Sequence, residues 1–319
     1  MNIVITGGAG FVGSHLAEAL LAAGHSVVVL DNLLTGRRVN IAHLEQQPGF
    51  EYRFHDVCDP LPDLPCDALF HMASPASPEG YGRYPIETML TNSQGTLHAL
   101  QLAQRHNARF LVTSTSEVYG DPKEHPQSET YWGNVNPVGP RSCYDEGKRY
   151  AEALTYNYSQ VHGLDARIVR IFNTYGPRNA PEDGRVVPNF MTQALRGQPL
   201  TVYGDGSQTR SFCYVADLVE GLQRALFTEG TQGEVINLGN PAEFTVLELA
   251  NLVVRVTGSR SEVRQVAARP EEIAQRRPDI SKAKRLLGWE PAIPLDDGLA
   301  RTAAWLSEAL GLKAPAAER

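Results

Sequence analysis

The chain has 319 residues, of which 42% are hydrophobic and 20% charged, and its formal net charge is -7. That length buries a large core without disulfide or metal staples, and the acidic balance excludes a general nucleic-acid or membrane surface while allowing a local basic pocket for an anionic substrate. Cys58, Cys66, Cys143 and Cys213 are scattered, with no CxxC pair and no nearby histidine at ligand spacing, so the residues predict neither a metal site nor a disulfide framework.

In chain order, Met1-Asn2 run directly into the apolar Ile3-Val4-Ile5 with no basic leader, and no apolar run reaches the roughly 18 residues of a membrane span, which predicts a cytoplasmic protein. Short apolar runs then alternate with helical stretches. Ser14 to Ala23 reads as a helix, Val27 to Leu30 as a strand, Ala68 to Met72 as a strand, Asn92 to Arg105 as a helix and Arg109 to Thr113 as a strand. A helix carrying Tyr144 and Lys148 precedes a further strand at Ala166 to Phe172. Runs that are apolar throughout suit strands covered on both faces. The rhythm therefore predicts an α/β fold with a doubly wound parallel sheet.

Beyond Gly176-Pro177-Arg178 the stretch Asn179 to Val187 is polar and rich in turn formers, and reads as a substrate loop. Phe190 to Arg196 and Thr245 to Thr257 read as helices, and Gly233 to Leu238 as a strand returning to the main sheet. The expected organisation is a dinucleotide-binding domain of residues 1–175 plus about 207–238. An interleaved smaller lobe takes about 176–206 plus 239–319, with Ala314 to Arg319 a loose tail.

Three motifs carry chemistry. Gly7, Gly10 and Gly13 follow a strand and open a helix, so a pyrophosphate can approach backbone amides at the positive end of that helix. Asp31 closes the next strand, where a carboxylate binds ribose hydroxyls and repels a 2'-phosphate, predicting NAD over NADP; Asp56, at the end of another apolar segment, is an adenine-side candidate. Tyr144 and Lys148 lie four residues apart on one helical face. An ammonium beside the phenol lowers its pKa, so that Tyr144 takes the proton of a substrate hydroxyl while Thr115 holds that hydroxyl. On an extended segment Glu117 points to the same side as Thr115 and reaches the same sugar, with Ser116 assisting. Its carboxylate either strains against the substrate's own carboxylate or positions a water.

With its GxxGxxG start, its Ser114-Thr115-Ser116 and its YxxxK, the chain resembles the extended short-chain dehydrogenase/reductase family over nearly its whole length. The resemblance implies a Rossmann-type domain. Longer segments are similar to the UDP-glucuronate-decarboxylating branch: His71 to Pro78, Ser114 to Gly120, Gly139 to Arg149, Arg170 to Arg178, Asp183 to Val187 and Tyr203 to Phe212. That branch implies a tightly bound NAD and a UDP-glucuronate substrate. C4 is oxidised, the C5 carboxylate is lost from the β-keto acid, and C4 is reduced again to give UDP-xylose. Relative to animal members, a membrane-anchoring N-terminal extension is expected to be missing.

By the same resemblance, Phe11, Val12, Asn32, Thr35, Gly36, Val57 and Ala73 join the cofactor set. The sugar nucleotide falls to Pro75, Ser77, Asn173, Arg178, Val187, Tyr203 and Gln208, with Arg185 and Arg210 gripping anionic groups and Arg277 reaching the diphosphate. Arg210 is placed nearest the chemistry.

Sugar-nucleotide 4,6-dehydratases carry an Asp-Glu pair where this chain has Ser116-Glu117, and typical 4-epimerases lack the glutamate. UDP-glucuronate 4-epimerase is the nearest enzyme alternative, and a non-catalytic nucleotide-binding protein the remote one. Leu97, Leu100, Leu102, Ala151, Leu154 and Tyr158 are spaced to pack two subunits as a four-helix bundle or to pack on their own sheet. The family resemblance implies a homodimer.

Overall fold

In the computed structural model, residues 1–267 and 275–312 are described. The expected tail Ala314 to Arg319 lies outside them. Seven strands form one parallel sheet: β1 (Asn2–Thr6), β2 (Ser26–Asp31), β3 (Phe50–Phe54), β4 (Ala68–His71), β5 (Arg109–Thr115), β6 (Ala166–Ile171) and β7 (Val235–Leu238). Their order is β7-β6-β5-β4-β1-β2-β3. The chain reverses direction of growth between β1 and β4, which opens a crevice at the carboxyl ends of those two strands.

The central strands are apolar throughout because helices cover both faces. Ile3, Ile5, Phe70 and Leu111 belong to one buried cluster and Val4, Leu69, Phe110 and Val112 to another. β3 was not evident in the sequence: its FEYRF pattern is half exposed, as suits the edge of the sheet. Helix α1 (Phe11–Ala22) packs against α5 (Val215–Phe227) on one face, and α2 (Thr96–Arg105) against α3 (Ser142–His162) on the other. The expected helix from Asn92 begins instead as a π-helical turn, Thr91–Gly95, before α2.

A second group of elements stands over the carboxyl ends of the strands. Helices α4 (Val186–Leu195), α6 (Val246–Thr257) and α7 (Leu295–Ala309) pack together. Thr245 caps α6 reciprocally with Glu248, a capping box that fixes where the helix starts. Two small sheets complete the group: Leu200–Tyr203 with Val263–Val266, and Thr209–Ser211 between Glu243–Thr245 and Gln275–Arg276. Thr209–Ser211 therefore pairs within the lobe, whereas the sequence reading placed it in the main domain. Among the described residues no helix is long and apolar enough to cross a membrane.

Five of the six residues read as a possible subunit face pack against the molecule's own sheet. Leu100, Leu102 and Ala151 are in the buried cluster, and Leu154 and Tyr158 pack against it. Only Leu97 stands outside that cluster, half-buried. The exposed apolar residues here are others: Ile86, Met89 and Leu90 on the short helix beside α3, and Tyr150, Tyr156 and Val161 on α3 itself.

Candidate active site

A cavity of about 540 Å³ runs along the crevice from the β1–α1 turn to the loop before α4. Its cofactor end is built by absence of side chains. Gly7 has φ +74°, and a Cβ there would sit 2.7 Å from the backbone of Ala73; a Cβ on Gly13 would lie 2.4 Å from the Gly7 carbonyl. Only glycine lets α1 begin this close to β1 and leaves its amino end bare. Asp31, 7% exposed, accepts hydrogen bonds from the amides of Ala9 (2.9 Å) and Leu33 (2.8 Å), which ties the glycine turn to the end of β2. A Cβ on Gly36 would lie 2.7 Å from that carboxylate, so the side chain missing at this position leaves it approachable. These features fit a dinucleotide.

Phe11, Val12, Asn32, Thr35, Val57 and Ala73 line the same end. Asp56 does not; its carboxylate accepts from Asn32 Nδ2 and from the Cys58 amide, both at 2.9 Å, and so shapes the wall from behind. His71 holds another part of the frame. It is buried, its pKa is lowered to about 3 by burial, and it bonds Thr6 Oγ1 at 2.8 Å, which in turn accepts from the amides of Met72 and Ala73.

Thr115, at the end of β5, meets Tyr144 and Lys148 of α3 on the opposite wall. Tyr144 is 6% exposed and stacks on Tyr81 with centroids 5.1 Å apart. Burial raises its pKa, opposed by a hydrogen bond with Thr115 and by the charge of Arg185. The expected lowering by Lys148 is not realised in the protein alone. Lys148 is itself desolvated, which lowers its pKa to about 7, and its Nζ donates to the Thr113 carbonyl at 2.8 Å.

Glu117 is not on an extended segment. Thr115 Oγ1 accepts from the Glu117 amide at 3.2 Å and caps a 3-10 turn over Ser116–Tyr119, so the alternation assumed from the sequence breaks at the strand end. The turn still brings Glu117 and Ser116 to the cavity. The Glu117 carboxylate is bound on one oxygen by Arg141 and on the other by Arg276. Neither arginine was singled out in the sequence, because their meeting is set by tertiary structure. Beside them burial raises the pKa of Asp145 to about 6 against the pull of Arg141 and Arg276.

Pro75, Ser77, Asn173, Arg178, Arg185, Val187 and Arg210 line the substrate end. Arg178 donates to Glu18 Oε2 at 2.5 Å while its buried Nη1 has no protein partner, and Arg185 donates to the Ala76 carbonyl at 3.2 Å. Tyr203 and Gln208 line a neighbouring cavity of about 120 Å³ that shares Val186 and Arg210 with the first. Arg277 is not brought to either cavity; its Nη1 lies 3.6 Å from Glu243.

A bare glycine turn at a topological switch point, facing a Thr-Tyr-Lys group across one crevice, defines a nucleotide-dependent dehydrogenase-type site. A family model described as GDP-mannose 4,6 dehydratase matches residues 4–302. UDP-glucuronic acid decarboxylase 4 of Arabidopsis thaliana is 56% identical over 299 residues, which are 94% of this chain and 67% of that one. UDP-glucuronic acid decarboxylase 6 of the same plant is 54% identical over 94% of this chain and 87% of its own length. Among solved structures, UDP-glucuronic acid 4-epimerase from Bacillus cereus, in complex with UDP-glucuronic acid and NAD, superposes with a TM-score of 0.86. That match is at 31% identity and covers 97% of this chain and all of that one (100%). The chain belongs to the extended short-chain dehydrogenase/reductase family, alongside the UDP-glucuronic acid decarboxylases.

Proposed function

We propose that the protein is an NAD-dependent UDP-glucuronate decarboxylase that forms UDP-xylose and carbon dioxide. The observation that carries this is the Thr115, Glu117 and Tyr144 set around one cavity, in a chain 56% identical to a decarboxylase over nearly its whole length. The bare glycine turn at Gly7, Gly10 and Gly13 together with Asp31 would hold NAD, which would supply the hydride acceptor for oxidation at C4 and the hydride donor for its later reduction.

Thr115 orients the C4 hydroxyl, and Tyr144 takes its proton. With a ketone at C4, the C5 carboxylate is β to it, and its loss as carbon dioxide leaves an enolate. Tyr144 meets the enolate oxygen with the proton it carries. Glu117 and Ser116, which line the same cavity, hold a water that delivers a solvent proton to C5, while the enol proton returns to Tyr144 for use at C4. Arg178, Arg185 and Arg210 answer the anionic diphosphate and carboxylate. Lys148 holds the tyrosine's side of the cavity in register.

We also infer a homodimer and a cytoplasmic location. The exposed Ile86, Met89, Leu90, Tyr150 and Val161 around α3 are the kind of apolar patch that a second copy covers. Four unpaired cysteines suit a reducing compartment.

Incubation of the purified protein with UDP-glucuronate, with and without added NAD, followed by NMR of the sugar nucleotides, tests the reaction. UDP-xylose with release of carbon dioxide is expected. UDP-galacturonate would assign a 4-epimerase instead, and no turnover would leave a binding protein.

A further inference from the structure

This inference rests on the cofactor half of the decarboxylase reading and concerns Asn179, the first residue of the loop that the sequence reading gave to the substrate. Asn179 is 5% exposed and lines the cavity, and its Nδ2 is buried with no hydrogen-bond partner among the described residues. The large majority of buried polar side-chain atoms are paired, because an unmade bond leaves the desolvation of the group uncompensated. An NH2 group that the fold desolvates in the wall of a cavity is suited to an acceptor that a ligand brings.

The corner that carries Asn179 is fastened to α1. His15 donates from Nε2 to the Pro177 carbonyl at 2.9 Å, and burial lowers its pKa to about 4, which keeps the ring neutral. Arg178 donates from Nη2 to Glu18 Oε2 at 2.5 Å. Between these contacts Arg178 takes φ +66°, a left-handed conformation that persists in a residue other than glycine only where its surroundings hold it. His15 stands one helical turn beyond Phe11, about 6 Å along the axis. Gly10, Phe11 and Val12 line the same cavity as Asn179, and no side chain caps that end of α1. The corner therefore sets an unpaired amide beside the bare helix end.

We propose that Asn179 is a cofactor-binding residue whose side-chain amide donates from Nδ2 to the NAD pyrophosphate, adding a donor to the backbone amides of the α1 amino end. Both phosphoryl groups of a pyrophosphate are anionic and rich in acceptors, and the free amides of one helix turn answer only part of them. A reaction that gives its hydride back to the same sugar needs a cofactor that stays bound between the two transfers. A hydrogen bond made inside a buried wall acts chiefly on release.

The deciding experiment measures, for wild type, Asn179→Ala and Asn179→Asp, the Kd and release rate of NAD and the Kd of UDP in saturating NAD. A hydrogen bond to a charged acceptor is worth about 10- to 100-fold in affinity. Asn179→Ala is therefore expected to weaken NAD by about that factor through faster release, with the Kd of UDP within about 2-fold of wild type. Asn179→Asp keeps the shape and sets a carboxylate against the phosphates, so it weakens NAD at least as much, and it carries the test should the alanine variant fail to fold. Unchanged NAD affinity overturns the proposal. A loss confined to UDP overturns it by assigning Asn179 to the sugar nucleotide, and equal losses for both ligands overturn it in favour of a structural role. Formation of UDP-xylose by the wild type bears on the decarboxylase reading alone, and the split between NAD and UDP bears on Asn179 alone.

Discussion

Lys148 donates from Nζ to the backbone carbonyl of Thr113 across 2.8 Å, joining α3 to the strand that ends in Thr115. A buried amine held by one neutral acceptor has lost most of its hydration. Its pKa falls from 10.5 to about 7. For a base whose folded pKa is depressed, the unfolded chain binds more protons between the two values, so stability rises with pH across that window. The slope from one such group is at most about 1.4 kcal/mol per pH unit. Lys148→Met removes it. Urea unfolding between pH 6.5 and 9 should show wild-type stability rising relative to the variant, and parallel curves would remove the argument.

Tyr144 is buried against Tyr81 with its hydroxyl toward Thr115. Tyr144→Phe deletes the hydroxyl that we propose takes the proton and keeps the ring and its stacking. Turnover is expected to fall by about 10²- to 10⁴-fold, with the unfolding midpoint little changed and dinucleotide binding retained. Stopped turnover together with lost binding would point to a structural role for the ring instead.

At the other end of the cavity, a methyl group on Gly13 would lie 2.4 Å from the Gly7 carbonyl, and backbone cannot swing aside as a side chain does. Gly13→Ala should push α1 away from β1 and misplace its amino end. Calorimetric titration with NAD is expected to show at least a 10-fold weaker affinity, about 1.4 kcal/mol. Unaltered affinity would mean that the helix end is not the pyrophosphate site.

The sequence made the doubly wound sheet legible because buried parallel strands such as Val27 to Leu30 are apolar throughout, and their continuous runs stand out. Edge strand β3 lacks that pattern and was passed over. That Gly7, Gly10, Gly13, Asp31, Thr115, Tyr144 and Lys148 line one cavity was legible, because each stands at a strand end, on the turn after it or on one helix face. Arg141 and Arg276 were not, since their meeting at Glu117 joins positions 135 residues apart and no local spacing encodes it. The same limit explains Arg277, which directly follows the strand Gln275–Arg276: only the fold decides which of the two adjacent arginines turns inward. Leu100 and Ala151 illustrate another ambiguity, for an apolar stripe on a helix serves its own sheet or a partner equally well.

Behind the catalytic wall Glu152 and Arg170 form a pair whose side chains are each 12% exposed, with Nη2 to Oε2 at 2.7 Å and Nε to Oε1 at 2.9 Å. The network extends in both directions. Ser114 Oγ donates to Glu152 at 2.5 Å, Arg170 Nη1 donates to the Tyr119 hydroxyl at 3.0 Å, and that hydroxyl donates to Asn237 at 2.8 Å, so β5, β6, β7 and α3 are joined under the site. Removing one partner leaves the other as a desolvated charge, which costs about 3–5 kcal/mol. Glu152→Ala should therefore lower unfolding stability by that amount. Replacing both, as Glu152→Leu with Arg170→Met, should cost less than the single change, because no charge is stranded. Glu152 also raises the pKa of Lys148 through its charge, so its removal should shift the Lys148 titration further down and carry the pH dependence of stability with it. Denaturation of the wild type and the two variants across pH 6 to 9 checks both parts: a double variant weaker than Glu152→Ala would show that the pair holds the fold by its net attraction and not by mutual neutralisation.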